Sequence, residues 1–418
     1  MGFLNGRRRI VLVVVAALLA TAAVAATLYR VLAPAEVSTV ARAAYPAAPQ
    51  PPAGVVARLP VAPLVVDGRL RVYAAHRQVY ADRPIDWRHR TTPFWSYRRW
   101  PAELVGVVAS GTTVVSRWSD GRLVALDART GRVTWRADGP RPAQEPAVRR
   151  TGATVVWNPP GLYLTRLTGG REVVVATGSD EARGVELAGG RELWRADLGA
   201  GCRSDVGTTG SGQLVGLDAC AAPATVEFRD AATGTVSGRW RPPGAGAELV
   251  VTPVGCRSGR SGCAGLRTSG PGDAGGRGWL LGSGEPVAAP ALDGLGSELT
   301  GDQAVAVVDG VPVGRSARSG DELWRRPDLG PGRVLAVQPG RLHLLTGAND
   351  LVTLDPATGV ERSRVTLNAG SDGTGWASGA AYAADGYLAV ERLREPVDPE
   401  AGDQAYFFTS EPVILAAT

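Results

Sequence analysis

A chain of 418 residues with 45 basic side chains, all of them arginine, and 40 acidic ones carries a formal charge of +5. That length exceeds what one small core organises, so either two or three domains or a repeat architecture is expected. The scatter of arginine through turns and strand edges argues against a nucleic-acid partner. Three histidines and four cysteines, none clustered, argue against a zinc site.

The chain opens with Arg7, Arg8 and Arg9, then an apolar run from Ile10 to Leu28 broken only by threonine. Residues 1–9 read as a basic cytoplasmic terminus and 10–28 as a transmembrane helix. The run matches a bilayer core of ~30 Å, and three arginines before it outweigh Arg30 after it. A signal peptide cleaved near Ala23-Val24-Ala25 is the competing reading. The remainder is expected outside the cytoplasm, as a single-pass cell-membrane protein or, after cleavage, a secreted one. Residues 29–60, rich in Ala and Pro, read as an extended linker, and 61–418 as the folded part.

Beyond the linker, short alternating β-branched runs are separated by Asp67-Gly68, Asp120-Gly121, Asp309-Gly310 and Asp385-Gly386. Asp-Gly between such runs is a strong hairpin signal. No segment after the anchor keeps a helical period, so the fold class is all-β.

The segment DWRHRTTPFWSYRRW gathers Trp87, Arg88, Arg90, Phe94, Trp95, Tyr97, Arg98, Arg99 and Trp100. Tryptophan, tyrosine and arginine dominate interface hot spots, which makes this a candidate interaction surface. The alternative is an aromatic plug where a ring closes, with arginines stacked on the aromatics.

The stretch LVALDARTGRVTWRAD, Leu123 to Asp138, recurs along the chain. Gly131, Gly190, Gly234, Gly320 and Gly359 each end a turn, and four residues before them stand Asp127, Glu186, Asp230, Ser316 and Asp355. Four residues after the glycine stand Trp135, Trp194 and Trp324, whereas Trp240 falls two residues late and Ser363 replaces the aromatic. A degenerate copy lies near Arg277 to Val287. A period of roughly 40–45 residues in an all-β chain marks a propeller of four-stranded blades. About seven blades are expected, with six or eight as alternatives, and strands near 64–75 and 380–391 completing one blade between them. The turn residues and tryptophans are then structural, the indoles slotting between blades.

Of three possible cysteine pairings, the local one is preferred: Cys202 with Cys220, where the sequence reads strand, turn, strand, and Cys256 with Cys263 in a tight loop. Disulfides agree with export. The Gly/Ser/Arg-rich stretch from Cys256 to Gly278 reads as an exposed rim loop. GTTGSGQLVG, Gly207 to Gly216, lacks the lysine and helix of a phosphate loop and reads as a hairpin turn. His76, His89 and His343 have no neighbouring ligand and read as structural or surface residues.

In ALDARTGRVTW, the residues Ala125, Asp127, Thr130, Gly131 and Trp135 resemble the pyrroloquinoline-quinone-type (PQQ-like) propeller repeat, Ala-x-Asp-x-x-Thr-Gly-x-x-x-Trp. Thr353 to Gly359 matches its first half, and Gly189 to Asp197 and Ser319 to Arg326 its second. The resemblance implies one of two functions. Quinoprotein dehydrogenases hold the quinone and a calcium ion over the propeller axis, typically beside a vicinal disulfide. Non-catalytic propellers, similar to the outer-membrane assembly lipoprotein, bind protein partners. No two cysteines are adjacent here, and no calcium-binding set stands out. The expectation is therefore no catalytic residue, cofactor or metal, and a non-catalytic, membrane-anchored, extracytoplasmic scaffold with an envelope protein partner. A receptor taking a small ligand or glycan in the axial funnel is the alternative, and a quinone-dependent dehydrogenase the least favoured reading.

Overall fold

Tight turns set the architecture. Asp67-Gly68, Asp309-Gly310 and Asp385-Gly386 hold both residues at positive φ, 50–55° for the aspartates and 60–82° for the glycines. Those are the primed turns whose twist matches that of paired strands. A computed structural model describes residues 3–418 apart from 34, 144–149, 200, 247, 271–274, 283, 295, 368–374 and 399–403. The described residues form eight antiparallel sheets.

Blade 1 comprises Leu64–Val66, Leu70–Ala75, Gln78–Asp82 and Trp95–Trp100. Blades 2 to 7 are four-stranded meanders that start at Leu104–Ser110, Leu162–Arg166, Arg203–Thr208, Val250–Val254, Glu298–Thr300 and Gly332–Gln338. Blade 8 takes Ala377–Ala384, Tyr387–Leu393 and Val413–Ala417, and its outermost strand, Gly54–Leu59, comes from the N-terminal side. First strands of most successive blades touch one another, which places them around the axis. The ring has eight blades, not seven. The six copies found in sequence are blades 2 to 7. Blade 8 has no continuous third-to-fourth turn, and in blade 1 that turn is replaced by an insertion from Arg83 to Phe94. The closing strand is Gly54–Leu59, whereas residues 64–75 begin blade 1.

The stretch 29–60, expected as a linker, contributes two strands. Besides Gly54–Leu59, Ala35–Thr39 adds a fifth strand outside blade 1, with Ala35 opposite Trp100 and Thr39 opposite Ser96. Between them the chain is tied down by Ala41 N–H to Thr130 O (2.9 Å) and by the Tyr45 hydroxyl to Asp67 (3.1 Å).

Ahead of these lies α1 (Phe3–Leu32). Among the described residues no helix is long and apolar enough to cross a membrane. The span expected at 10–28 lies partly outside the described side chains, which in α1 are those of 11–25, 27 and 29. From Val11 to Val15, and at Leu18 and Leu19, these apolar side chains are exposed.

Cores lie between blades. Each repeat tryptophan projects from an outer strand onto the next blade's turn. Trp135 Nε1–H donates to Leu187 O (2.8 Å), Trp194 to Ala231 O (2.7 Å) and Trp324 to Pro356 O (2.8 Å). The indole rings lie over Gly190, Gly234 and Gly359, where a Cβ would stand 2.6–2.7 Å from ring atoms. Turn aspartates cap their own loops, as Asp230 does by accepting from Ala232 N–H (2.8 Å) and Thr233 N–H (2.9 Å). The two irregular copies complement each other: Trp240 packs edge-on against Trp279 with ring centroids 4.8 Å apart.

Candidate functional site

The aromatic segment of blade 1 does not form one surface. Trp95 is fully buried and is the blade 1 copy of the repeat tryptophan, donating to Ala128 O (2.7 Å) and packed on Gly131. Phe94, Tyr97 and Arg99 are buried too; Arg99 grips Asp120 through two bonds (3.0 and 2.9 Å) and also reaches Glu36. Trp87 (54%) and Trp100 (37%) are exposed, as are Arg88, Arg90 and Arg98. Trp100 stands at the end of blade 1 where Ala35 begins, with Arg77 stacked 4.1 Å from its ring. Trp87 stands at the opposite end, near residues 39–43.

The insertion carrying Trp87 is rigidly anchored. A fully buried Arg71–Asp82 pair (2.8 Å) forms beneath it, and the remaining Arg71 donors reach Trp87 O (2.7 Å) and His89 O (3.0 Å). Beside it runs an open groove of about 580 Å³ whose lining includes Val40, Arg42, Arg83, Trp87 and Phe94 and, among the described residues, no carboxylate.

Segments from several blades enter the axial space. The Cys256–Cys263 loop, expected as an exposed rim, crosses the ring instead. Thr208 N–H of blade 4 donates to Arg260 O (2.9 Å), Leu164 N–H of blade 3 to Ser261 Oγ (2.9 Å), and Ser258 lies close to the Tyr382 hydroxyl of blade 8. Blades 4 and 8 face each other across an eight-membered ring. From the blade 2–blade 3 connection, the short helix α2 (Ala153–Val156) and Trp157 enter the same space. Trp157 stacks on Tyr382 with ring centroids 6.0 Å apart and donates to Pro63 O (2.7 Å). The cysteines pair at sequence separations of 18 and 7, as preferred from spacing, and neither pair is vicinal. Among the described residues no three His, Cys, Asp or Glu side chains converge as a metal site.

A partly open pocket lies off the axis, between blades 3 and 4, with a volume of about 390 Å³. On the blade 4 wall, the Arg203 guanidinium pairs with Asp218 (2.9 Å) and Glu227 with Arg229 (2.7 Å) and Arg239 (3.0 Å). Asp205 accepts from the Tyr163 hydroxyl and from Thr177 Oγ1 (2.8 Å) across the interface. Burial, and then the Asp205 charge, push the Tyr163 hydroxyl above its ordinary pKa, so it remains a donor. Arg117 is fully buried, bonded to Gly161 O (2.5 Å), Thr177 O (2.7 Å) and Pro140 O (2.9 Å), and its Nε has no partner. Burial holds that guanidinium down to about 10, which still leaves it cationic at neutral pH.

Sequence reasoning missed this cavity because its residues lie inside a stretch read as a hairpin, which it is. The available signal was positional. Ladder registers place Asp205, Gly216 and Arg229 of blade 4 where blade 3 has Leu162, Ala176 and Val185. Of the histidines, His76 contacts Glu103 at the surface (2.9 Å) and His89 is exposed. His343 is buried between Gln338 (2.8 Å) and Thr353 (3.1 Å).

No curated protein matches the chain. Among solved structures, BamB from Moraxella catarrhalis is 16% identical with a TM-score of 0.41, covering 86% of this chain and 93% of that one. The C-terminal WD40 domain of Sif2 is 11% identical with a TM-score of 0.47, covering 87% and 95%. The quinohemoprotein alcohol dehydrogenase ADHIIG from Pseudomonas putida HK5 is 13% identical with a TM-score of 0.43, covering 87% and 76%. Residues 91–246, from the end of the blade 1 insertion through blade 4, match the family described as outer membrane protein assembly factor BamB. With the eight-bladed ring and its turn-and-tryptophan repeat, that match is consistent with a PQQ-like repeat β-propeller.

Proposed function

We propose that this propeller is a non-catalytic scaffold, anchored in the cell membrane by its N-terminal helix and presenting its extracytoplasmic ring to a protein partner. The observation that carries the reading is the cationic, aromatic groove beside Trp87. It sits on an anchored insertion rather than a loose loop, and Arg42 and Arg83 face no carboxylate in its lining. An exposed tryptophan flanked by arginines is the composition of a protein-binding hot spot, and the groove's charge suits an acidic segment of the partner.

The anchor is supported by the arginines at 7–9, the exposed apolar side chains of α1 and the two disulfides. Only Ala33 and Pro34 separate α1 from the strand at Ala35. With α1 in a bilayer, the Ala35 end of blade 1 stays near the membrane. The groove, beyond Thr39, lies roughly 13 Å further along the strand at about 3.3 Å per residue. The loop, helix and Trp157 that enter the axial space speak against the quinone-dependent reading.

The test is photo-crosslinking in cells from position 87 of the full chain, with membrane fractionation alongside. Capture of one defined exported protein from position 87, lost when Arg42 and Arg83 are both changed to Glu, is expected. A folded, exported chain that captures nothing from that position overturns the scaffold reading, and release from membranes by carbonate overturns the anchor.

A further inference from the structure

The cavity between blades 3 and 4 exists because one blade departs from its own repeat. Leu162, Ala176 and Val185 of blade 3 are buried against blade 2 within an apolar cluster that includes Val108, Val115 and Trp135. Their counterparts facing blade 3 are Asp205, Gly216 and Arg229. A bulge between Asp205 and Gly207 lies in the same strand, and bulges re-aim side chains. Placing ionised groups where apolar packing would serve costs stability, and departures of this kind concentrate at functional sites.

We infer that this cavity binds a small, uncharged polyhydroxyl ligand, a mono- or disaccharide. Its volume of about 390 Å³ falls within the range of ligand pockets, ~300–1,000 Å³. The three lining arginines, Arg117, Arg203 and Arg229, are matched by Asp205, Asp218 and Glu227, so a ligand with net charge would meet no net complement. Both signs are already paired within the wall, leaving spare carboxylate lone pairs and guanidinium protons side by side. A hydroxyl can donate to the first and accept from the second, which a purely anionic or cationic group cannot do. Leu198, Leu217 and Pro160 supply apolar wall for the C–H faces of a sugar ring. This inference is independent of the scaffold reading, which concerns blade 1.

The full-length chain, purified in a polyoxyethylene detergent so that no detergent sugar competes, is titrated with glucose, mannose, N-acetylglucosamine and trehalose by saturation-transfer NMR. Glucuronate and glucosamine serve as charged controls. Saturable binding of a neutral sugar is expected, about tenfold or more tighter than its charged relatives. Asp205→Asn and Gly216→Val should each weaken it by about tenfold or more, while Trp87→Ala leaves it unchanged. A Cβ at position 216 makes only ordinary contact, 3.5 Å from Ser204 O, so Gly216→Val fills the space and retains the fold, checked by its unfolding midpoint. Failure of all four sugars to bind, binding that survives Gly216→Val, or preference for glucuronate or glucosamine would each overturn the inference.

Discussion

Two neighbouring interfaces in this ring are built on the same ladder and solve burial in opposite ways. Between blades 2 and 3 the facing positions are mostly Leu, Val and Ala closed by Trp135, with a single buried charge, Arg117, bonded to Gly161 O and Thr177 O. Between blades 3 and 4 the lower half is alike, with Leu214 packed among Tyr163, Val173 and Trp194, but the upper half becomes a ring of paired charges around a void. Apolar packing, the tryptophan clasp and one buried arginine bonded to backbone carbonyls join blades 2 and 3, whereas the blade 3–4 interface adds a set of paired charges. A repeat protein can carry such a site because each blade depends mainly on its neighbours, which confines the cost to one interface.

The sharpest way to break the comparison is to move a charge across it. Val174→Asp would put a carboxylate among Val115, Leu164 and Val185, without the Tyr163 and Thr177 hydroxyls that hold Asp205. Urea titration should show a loss of about 3–5 kcal/mol or outright unfolding, the penalty of an uncompensated buried charge. Tolerance of the change would mean that the interface is already wet. Turn glycines separate clasped from unclasped blades more gently. Gly190→Ala would need φ near +72° and bring a Cβ to 2.6 Å from the Trp135 ring, whereas Gly320, at φ +80°, has nothing within 4 Å of that position. The first should lose about 2–3 kcal/mol and the second about 1 kcal/mol, read from paired thermal melts. Equal losses would deny the clasp its role.

Blade 7 offers a third treatment of a titratable group: it is kept neutral instead of being paired. Burial, aided by the Arg341 charge, lowers the His343 pKa from 6.5 to about 3. Because the folded value is the lower one, neutral His343 contributes its full stability above pH 6.5, and that contribution is lost as pH falls toward 3. Stability measured across this window should decline less steeply in His343→Gln, which has no proton to take up. An unchanged slope would assign acid sensitivity to other groups.

Legibility in sequence followed local chemistry. The turn motif and its tryptophan were visible wherever strand three and strand four are consecutive in the chain, which is why blades 2 to 7 could be counted. Blade 8 stayed hidden because its fourth strand, Gly54–Leu59, lies more than 350 residues from the third, Val413–Ala417, in a stretch whose Ala/Pro content suggests a linker. Blade 1 stayed hidden because twelve residues, Arg83 to Phe94, replace its turn, so Trp95 looked like surface rather than clasp. Composition located the exposed Trp87 but could not divide Trp87 from Trp95, since periodicity carries no information inside an insertion. The axial loop was misjudged for a related reason. Gly, Ser and Arg are typical of exposed loops, and nothing local shows that Ser261 accepts a hydrogen bond from blade 3 or that Arg260 O accepts one from blade 4. The cavity was absent from the sequence reading because Asp205 and Arg229 are unremarkable residues in their own strands. They become informative only against Leu162 and Val185.

The smallest expected effect tests whether that contrast is functional. Gly216→Ala restores the residue that blade 3 has at Ala176, at a position where φ is not positive and the new methyl meets Ser204 O at 3.5 Å. Removing a glycine from a strand reduces the freedom of the unfolded chain, so the variant should be more stable by about 0.4–1 kcal/mol, measured by denaturant midpoint at constant m-value. A methyl also begins to fill the cavity, so the same variant should bind a neutral sugar more weakly than the parent. Gain of stability with loss of binding is the signature of a residue held for function at a cost to the fold. Gain of stability with binding intact would make Gly216 a neutral departure from the repeat and leave the charged half of the interface without a purpose tied to the void.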